Sequence, residues 1–307
     1  MCHPTVGAMT DGRLSEGAGI QESPPEAAGP EAVPAGASGG LVECELIEVA
    51  DGVLASVLWL NRPDSLNALS WELVLELEHQ LLTADRDRRV CAVLITGRGR
   101  GFCAGGDLKA YVELQANAAE FDRFLRDLHR TFACIRTMQK PVVALINGVT
   151  AAGGLELLLA CDFAYAAESA QIGDLHLNYG QIGGGGSLAL LPRAVGPARA
   201  RELVFSARLL AAREACEWGL VVRVVPDGQL LETGLELARG LAVKSPAGVA
   251  LAKEVLNRGY AEGTGTDQAL RLEADAASLY SASLPDSMEG LLAFAERRAP
   301  KFPGRGG

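Results

Sequence analysis

One glutamate inside an apolar, glycine-bearing run marks where this chain could do chemistry: Asn147-Gly148-Val149-Thr150-Ala151-Ala152-Gly153-Gly154-Leu155-Glu156-Leu157. From Val142 to Ala167 the residues are mostly Val, Ala, Leu, Ile and Gly. A carboxylate there is costly to bury unless it is protonated, paired or used. The helical spacing Leu155, Leu158, Leu159 begins just after the glycine pair, so Glu156 falls in a first turn whose free N–H groups suit negative charge. A second glycine turn, Gly101-Phe102-Cys103-Ala104-Gly105-Gly106-Asp107-Leu108-Lys109, follows the apolar run Val90 to Thr96. Each turn could supply one backbone N–H to an enolate or tetrahedral oxyanion, and losing one such preset donor costs about 3 kcal/mol or more.

Other signals are weaker. Gly183 to Gly186 followed by Ser187 has no Gly-Lys-[Ser/Thr] and is not a phosphate loop, and Gly97-x-Gly99-x-Gly101 lacks a full dinucleotide fingerprint. Cys103 has no histidine placed beside it and reads as a small buried filler. Asp162, after Cys161, reads as a carboxylate that satisfies nearby backbone N–H groups, and His129 as a helix histidine. No His/Cys/Asp cluster has metal-ligand spacing, so no metal is expected.

The elements that must position these residues follow from hydrophobic rhythm. Val42 to Val49, Val53 to Leu60, Val90 to Thr96 and Val142 to Ile146 read as strands, and Trp71 to Leu82 as a helix. Beyond Gly196-Pro197 the segments 197–206, 211–219, 227–244, 246–259, 265–283 and 285–297 read as helices. Pro197, Pro246 and Pro285 stand at first-turn positions there, and only Val221 to Val225 is strand-like. Residues 1–40 are rich in Gly, Ala, Pro, Glu and Ser and are expected to form a disordered tail without a signal peptide. Asn147, Glu156, Asp162 and the glycine pair argue that the Val142 to Ala167 run is a buried strand-turn-helix-strand rather than a membrane span.

An apolar fraction of 49% in 307 residues can fill a substantial core. The net charge of -10 argues against nucleic acid as a partner, because phosphate binding needs a basic face. Seven scattered cysteines without a Cys-x-x-Cys pair fit reduced thiols, so a cytoplasmic protein is expected.

The chain resembles the crotonase family, the enoyl-CoA hydratase/isomerase superfamily. The likeness rests on Asn61-Arg62-Pro63 with Leu66-Asn67-Ala68-Leu69, the Phe102 to Lys109 element, Lys140-Pro141-Val142 leading into Asn147-Gly148, and Cys161-Asp162. It continues through Gly183 to Gly186, Leu191-Pro192-Arg193, Ala215 to Val222 and Glu289-Gly290 with Phe294, Glu296 and Arg297, covering roughly Leu46 to Phe302.

That resemblance implies an α/β fold, a crotonase (ClpP-like) spiral of ββα units over 41–196 that carries the site. It implies a helical C-terminal region over 197–307 for trimerisation and for a lid over the CoA site. It makes Gly106 and Gly153 the oxyanion donors and Glu156 a catalytic acid/base. The family's second glutamate falls at His176, in Ile172-Gly173-Asp174-Leu175-His176-Leu177, so a histidine is expected to take part in its place, with Asp174 as an alternative carboxylate.

Ala68, Ala104, Gly105, Asp107, Leu108 and Lys109 are implied around the CoA, Gly183 as shaping the acyl pocket, and Phe294, Arg297, Lys301 and Phe302 as reaching over from a neighbouring subunit. The expected activity is hydration of a 2-enoyl-CoA; isomerisation, decarboxylation, hydrolysis or binding without turnover are the alternatives. CoA enters as part of the substrate, no separate cofactor is expected, and the partners are acyl-CoA and other copies in a homotrimer or dimer of trimers.

Overall fold

The structure is a computed structural model that describes residues 39–259 and 264–302. The tail expected over 1–40 lies, apart from its last two residues, outside the described residues. Among the described residues, ten strands build two sheets. They are β1 (Val42–Ala50), β2 (Val53–Leu60), β3 (Val90–Gly97), β4 (Gly101–Cys103), β5 (Val142–Ile146), β6 (Val149–Ala151), β7 (Phe163–Ala167), β8 (Gln171–Gly173), β9 (Leu209–Ala211) and β10 (Arg223–Val225).

The larger sheet runs β1-β2-β3-β5-β7-β10, antiparallel only at the β1–β2 hairpin, and the smaller runs β4-β6-β8-β9. Each of β3, β5 and β7 is followed within a few residues by a three-residue strand that leaves for the second sheet. That repeat is the ββα spiral the resemblance implies, and it delivers the turns after β4 and β6 to one place.

The helices are α1 (Trp71–Arg86), α2 (Leu108–Ala116), α3 (Ala118–Thr137), α4 (Gly153–Ala160), α5 (Ser187–Val195), α6 (Pro197–Ser206), α7 (Ala212–Glu217), α8 (Leu230–Ala242), α9 (Pro246–Gly259), α10 (Thr266–Ser283) and α11 (Pro285–Glu296). Ser70 caps α1 by accepting the Leu73 N–H at 3.3 Å. Alternation along β2 sends Leu58 and Leu60 toward α1 and α3, and Ala55 and Val57 toward α8, so the large sheet is buried on both faces. The Val142 to Ala167 run is β5, β6, α4 and β7. No described helix is long and apolar enough to cross a membrane.

Two expectations need correction beyond residue 196. The strand expected over Val221 to Val225 begins at Arg223, because the N–H groups of Leu220 and Val221 turn back to Ala215 O. Leu209–Ala211, not expected as a strand, joins the small sheet by pairing antiparallel with β8. Asp162 does satisfy backbone, accepting the Val142 N–H at 2.7 Å, but it also holds the buried Lys253 of α9 at 2.8 Å. Lys253 in turn donates to Ile135 O at 2.7 Å and Lys140 O at 2.9 Å, pinning α9 to the core.

Candidate active site

The two glycine turns meet. Gly105 has φ +112°, where a side chain would be strained, and a Cβ there would stand 2.9 Å from Ala152 Cβ and 3.4 Å from Gly153 N. A Cβ on Gly153 would stand 3.4 Å from Gly106 N. The turn carrying Gly106 is held by Leu69, whose N–H donates to Gly105 O at 2.7 Å and whose carbonyl accepts the Asp107 N–H at 3.0 Å. Among the described residues, no acceptor pairs with the Gly106 or Gly153 N–H. Gly153 opens α4, and Ala152 before it takes φ 48°, ψ -114°, a conformation rare for any residue with a Cβ.

Glu156 is buried at 2% exposure one turn further on. Its Oε1 accepts the N–H groups of Gly185 at 2.7 Å and Ser187 at 3.2 Å. The glycine run 183–186, expected only to shape the pocket, therefore also cradles this carboxylate. A Cβ on Gly185 would stand 2.6 Å from Glu156 Oε2.

His176 begins a short 3-10 turn after β8. Its Nδ1 lies 2.7 Å from Asp174 Oδ1, and Asp174 is 1% exposed. Burial disfavours the imidazolium, but the hydrogen bond and charge of Asp174, with the charge of Glu156, outweigh it and raise the His176 pKa. Burial likewise works to raise Asp174, and His176 holds it below the ordinary carboxylate value. Asp174, expected as an alternative carboxylate, has its Oδ1 engaged by His176 and does not itself line the cavity that Glu156 and His176 share.

Gly106, Gly153, Glu156 and His176 all line one cavity of about 510 Å³, with Ala104, Leu108 and Gly183 from the expected set. Leu66, Leu69, Leu125, Leu128 and Phe121 supply apolar wall, and Tyr111 a hydroxyl. Another cavity, of about 590 Å³, lies between the end of α3, α9 and α10. It contains neither glycine turn, nor Glu156, nor a histidine.

The remaining expected residues do not line the cavity. Ala68 and Asp107 are joined by Arg62, which donates to Ala68 O at 2.6 Å and to Asp107 Oδ2 at 2.7 Å. Asp107 also caps α2, accepting the N–H groups of Lys109 and Ala110. Burial would raise Asp107, but Arg62 and these N–H groups keep its pKa low. Gly105 is buried beneath the turn and Lys109 is exposed. Phe294 is 86% exposed on α11 and Lys301 is exposed beyond it, so within one chain neither reaches the cavity. Cys103 is fully buried, and burial pushes its thiol up to about 12, which leaves no thiolate to act as nucleophile. Among the described residues, no group of three His, Cys, Asp or Glu could hold a metal ion.

Sequence reasoning missed Arg62 as a clamp and Tyr111 as a cavity residue. Tyr111 stands four residues after the α2 cap at Asp107, one helical turn on, and that spacing was the available signal. The assembled site can bind an oxyanion at two preset N–H groups and move protons at a carboxylate and a polarised imidazole.

Comparison with known proteins points the same way. The family model for enoyl-CoA hydratase/isomerase matches residues 51–305. The chain is 36% identical to a crotonyl-CoA hydratase of Syntrophomonas wolfei, over 80% of this chain and 94% of that protein. It is 37% identical to the 1,2-epoxyphenylacetyl-CoA isomerase of Escherichia coli, over 86% of this chain and all of the relative. The crystal structure of an enoyl-CoA hydratase from Bacillus anthracis superposes with a TM-score of 0.78 at 35% identity, covering 85% of this chain and 99% of that one.

Proposed function

The chain belongs to the enoyl-CoA hydratase/isomerase family of the crotonase superfamily and is an acyl-CoA enzyme, and from that premise we propose that it adds water to a 2-enoyl-CoA. The thioester oxygen sits between the N–H groups of Gly106 and Gly153. Glu156 orients a water and takes its proton as the oxygen bonds to the β-carbon. The electron pair of the double bond moves onto the thioester as an enolate, which the two donors stabilise. His176, protonated beside Asp174, delivers a proton to the α-carbon, and the proton on Glu156 passes back to His176. Both hydrogens of the water are thereby accounted for. The observation that carries this reading is that Glu156 and His176 share one cavity with both glycine N–H groups.

In the same reading, Arg62 fixes the Ala68 and 105–109 backbone against CoA, and Phe294 and Lys301 reach a neighbouring copy in a homotrimer or dimer of trimers. The exposed Leu256, Leu270, Leu291 and Phe294 of α9, α10 and α11 support such an assembly. The free thiols of the described cysteines support a cytoplasmic setting.

A second reading has its own observation. An imidazolium held by Asp174, where the family has a second glutamate, would attract a substrate carboxylate, so the same enolate could form by loss of CO2 from an alkylmalonyl-CoA. Product masses after incubation with crotonyl-CoA, longer enoyl-CoAs and alkylmalonyl-CoAs decide between them. Gain of water, abolished in Glu156→Gln by about 100-fold or more, supports hydration. Loss of CO2, abolished in His176→Glu, would replace it, and binding without any product would leave a non-catalytic acyl-CoA binder.

A further inference from the structure

Tyr111 is one of the polar side chains of the cavity that the proposed reaction leaves unused, with Gln115, Tyr179 and Gln181. It lies one turn into α2, its N–H donating to Asp107 O at 2.9 Å, so the cap at Asp107 sets where the side chain points. Its ring is held edge-on against Phe121 and Phe124, with centroids 5.8 and 5.5 Å away and interplanar angles of 78° and 71°. These contacts fix the ring. The tip lies over Gly106: a Cβ on that glycine would stand 2.5 Å from Tyr111 Cζ and 2.6 Å from its Oη. Burial, and then the charge of Glu156, raise the phenol pKa well above its ordinary value, so the group keeps its proton and can donate it in a hydrogen bond.

We propose that the Tyr111 hydroxyl is a third hydrogen-bond donor to the thioester oxygen, converging on it with the N–H groups of Gly106 and Gly153. The proposal rests on the reading of those two groups as the oxygen's donors. A thioester carbonyl has two lone pairs, and the enolate oxygen that replaces it carries a third with full negative charge. A third donor therefore gains strength mainly as the enolate forms, which raises kcat more than it lowers KM. It also accounts for glycine at position 106 on steric grounds, since any side chain there would displace the phenol.

Tyr111→Phe tests this, because it keeps the ring contacts with Phe121 and Phe124 and removes only the oxygen. The probe is a 4-dimethylaminocinnamoyl thioester of CoA, whose absorption moves to the red when its carbonyl is polarised and which reports binding without turnover. The parent should shift the band to the red and Tyr111→Phe should shift it measurably less. With crotonyl-CoA, kcat of the variant should fall about 100-fold at a KM within about threefold of the parent. An equal red shift with unchanged kcat in Tyr111→Phe would overturn the third donor alone. A parent that binds the probe with no red shift would overturn the underlying two-glycine reading, and the proposal with it.

Discussion

Nδ1 of His176 lies 2.7 Å from Oδ1 of Asp174, and the same oxygen accepts the His176 backbone N–H at 3.2 Å. One carboxylate oxygen thus fixes both the ring and the chain that carries it. A pair of opposite charges adds almost no net charge to the cavity, where a second glutamate would add a full negative one beside Glu156. That difference matters to any anionic intermediate formed there, because repulsion between like charges in a dry cavity is costly.

The pair should leave a signature in the pH dependence of stability. His176 is raised on folding, so its contribution is complete below the unfolded imidazole value of about 6.5 and is lost as pH climbs through the higher folded value. Asp174 is lowered, so its contribution is complete above the unfolded carboxyl value of about 3.9 and is lost as pH falls through the folded one. Asp174→Asn should therefore destabilise most between about pH 4 and 6.5, by about 1–3 kcal/mol, and less toward pH 9. Thermal midpoints across that range check it, and a difference independent of pH would mean the contact is not an ion pair.

Lys253 is another place where a charge is committed to the interior. Its ammonium meets Asp162 and two backbone carbonyls, leaving no donor idle. Lys253→Ala strands the Asp162 carboxylate in a mostly buried position and should cost about 3–5 kcal/mol. The double variant Lys253→Met with Asp162→Asn, which removes both charges, should recover part of that loss. Urea midpoints of the two variants give the comparison directly.

How far the sequence could be read depended on distance along the chain. Apolar alternation placed Val53–Leu60 and Val142–Ile146 at their final bounds, and proline at a first turn marked the starts of α6, α9 and α11. These are local signals, set by backbone and periodicity. The glycine turns were legible for the same reason. The partners of Glu156 were not, because the Gly185 and Ser187 N–H groups come from 29 and 31 residues away and no periodicity connects them. Arg62 meets Asp107 across 45 residues, joined only once the spiral has closed. Leu209–Ala211 is a strand only because β8 offers an edge to pair with, which three residues cannot announce.

Gly185→Ala separates the site from the fold. The added methyl would press on Glu156 Oε2 at 2.6 Å and on Leu128 Cδ2 at 3.1 Å, both ends of side chains rather than backbone. The fold should therefore yield locally, at a cost of about 1–3 kcal/mol. Glu156 cannot yield so freely, since Gly185 N holds it at 2.7 Å, and its carboxylate must swing away from the position it shares with the cavity. A displacement of about 1 Å at a reacting group costs about 100-fold in rate. Turnover of crotonyl-CoA should fall by that order with a modest change in thermal midpoint, and retention of full activity would show that Glu156 has slack in its cradle.

Ala152 carries the reverse trade. At φ 48°, ψ -114° its Cβ is strained, and residues held in such regions cost about 1–3 kcal/mol. Glycine relaxes that strain but gains freedom in the unfolded chain worth about 0.4–1 kcal/mol, so Ala152→Gly should leave the protein slightly more stable, by roughly 1 kcal/mol. The same methyl group packs near Gly105, where an added Cβ would meet it at 2.9 Å, and it stiffens the peptide that presents the Gly153 N–H. Removing it loosens one of the two proposed donors while the other, at Gly106, stays braced by Leu69. An oxyanion donor works because it is aimed before charge develops, so mobility there raises the barrier even when the hydrogen bond can still form. Ala152→Gly should therefore raise the thermal midpoint and lower kcat by about 3- to 30-fold, less than outright loss of a donor. A variant that is both more stable and fully active would show that the strain at Ala152 has no part in holding Gly153 on target.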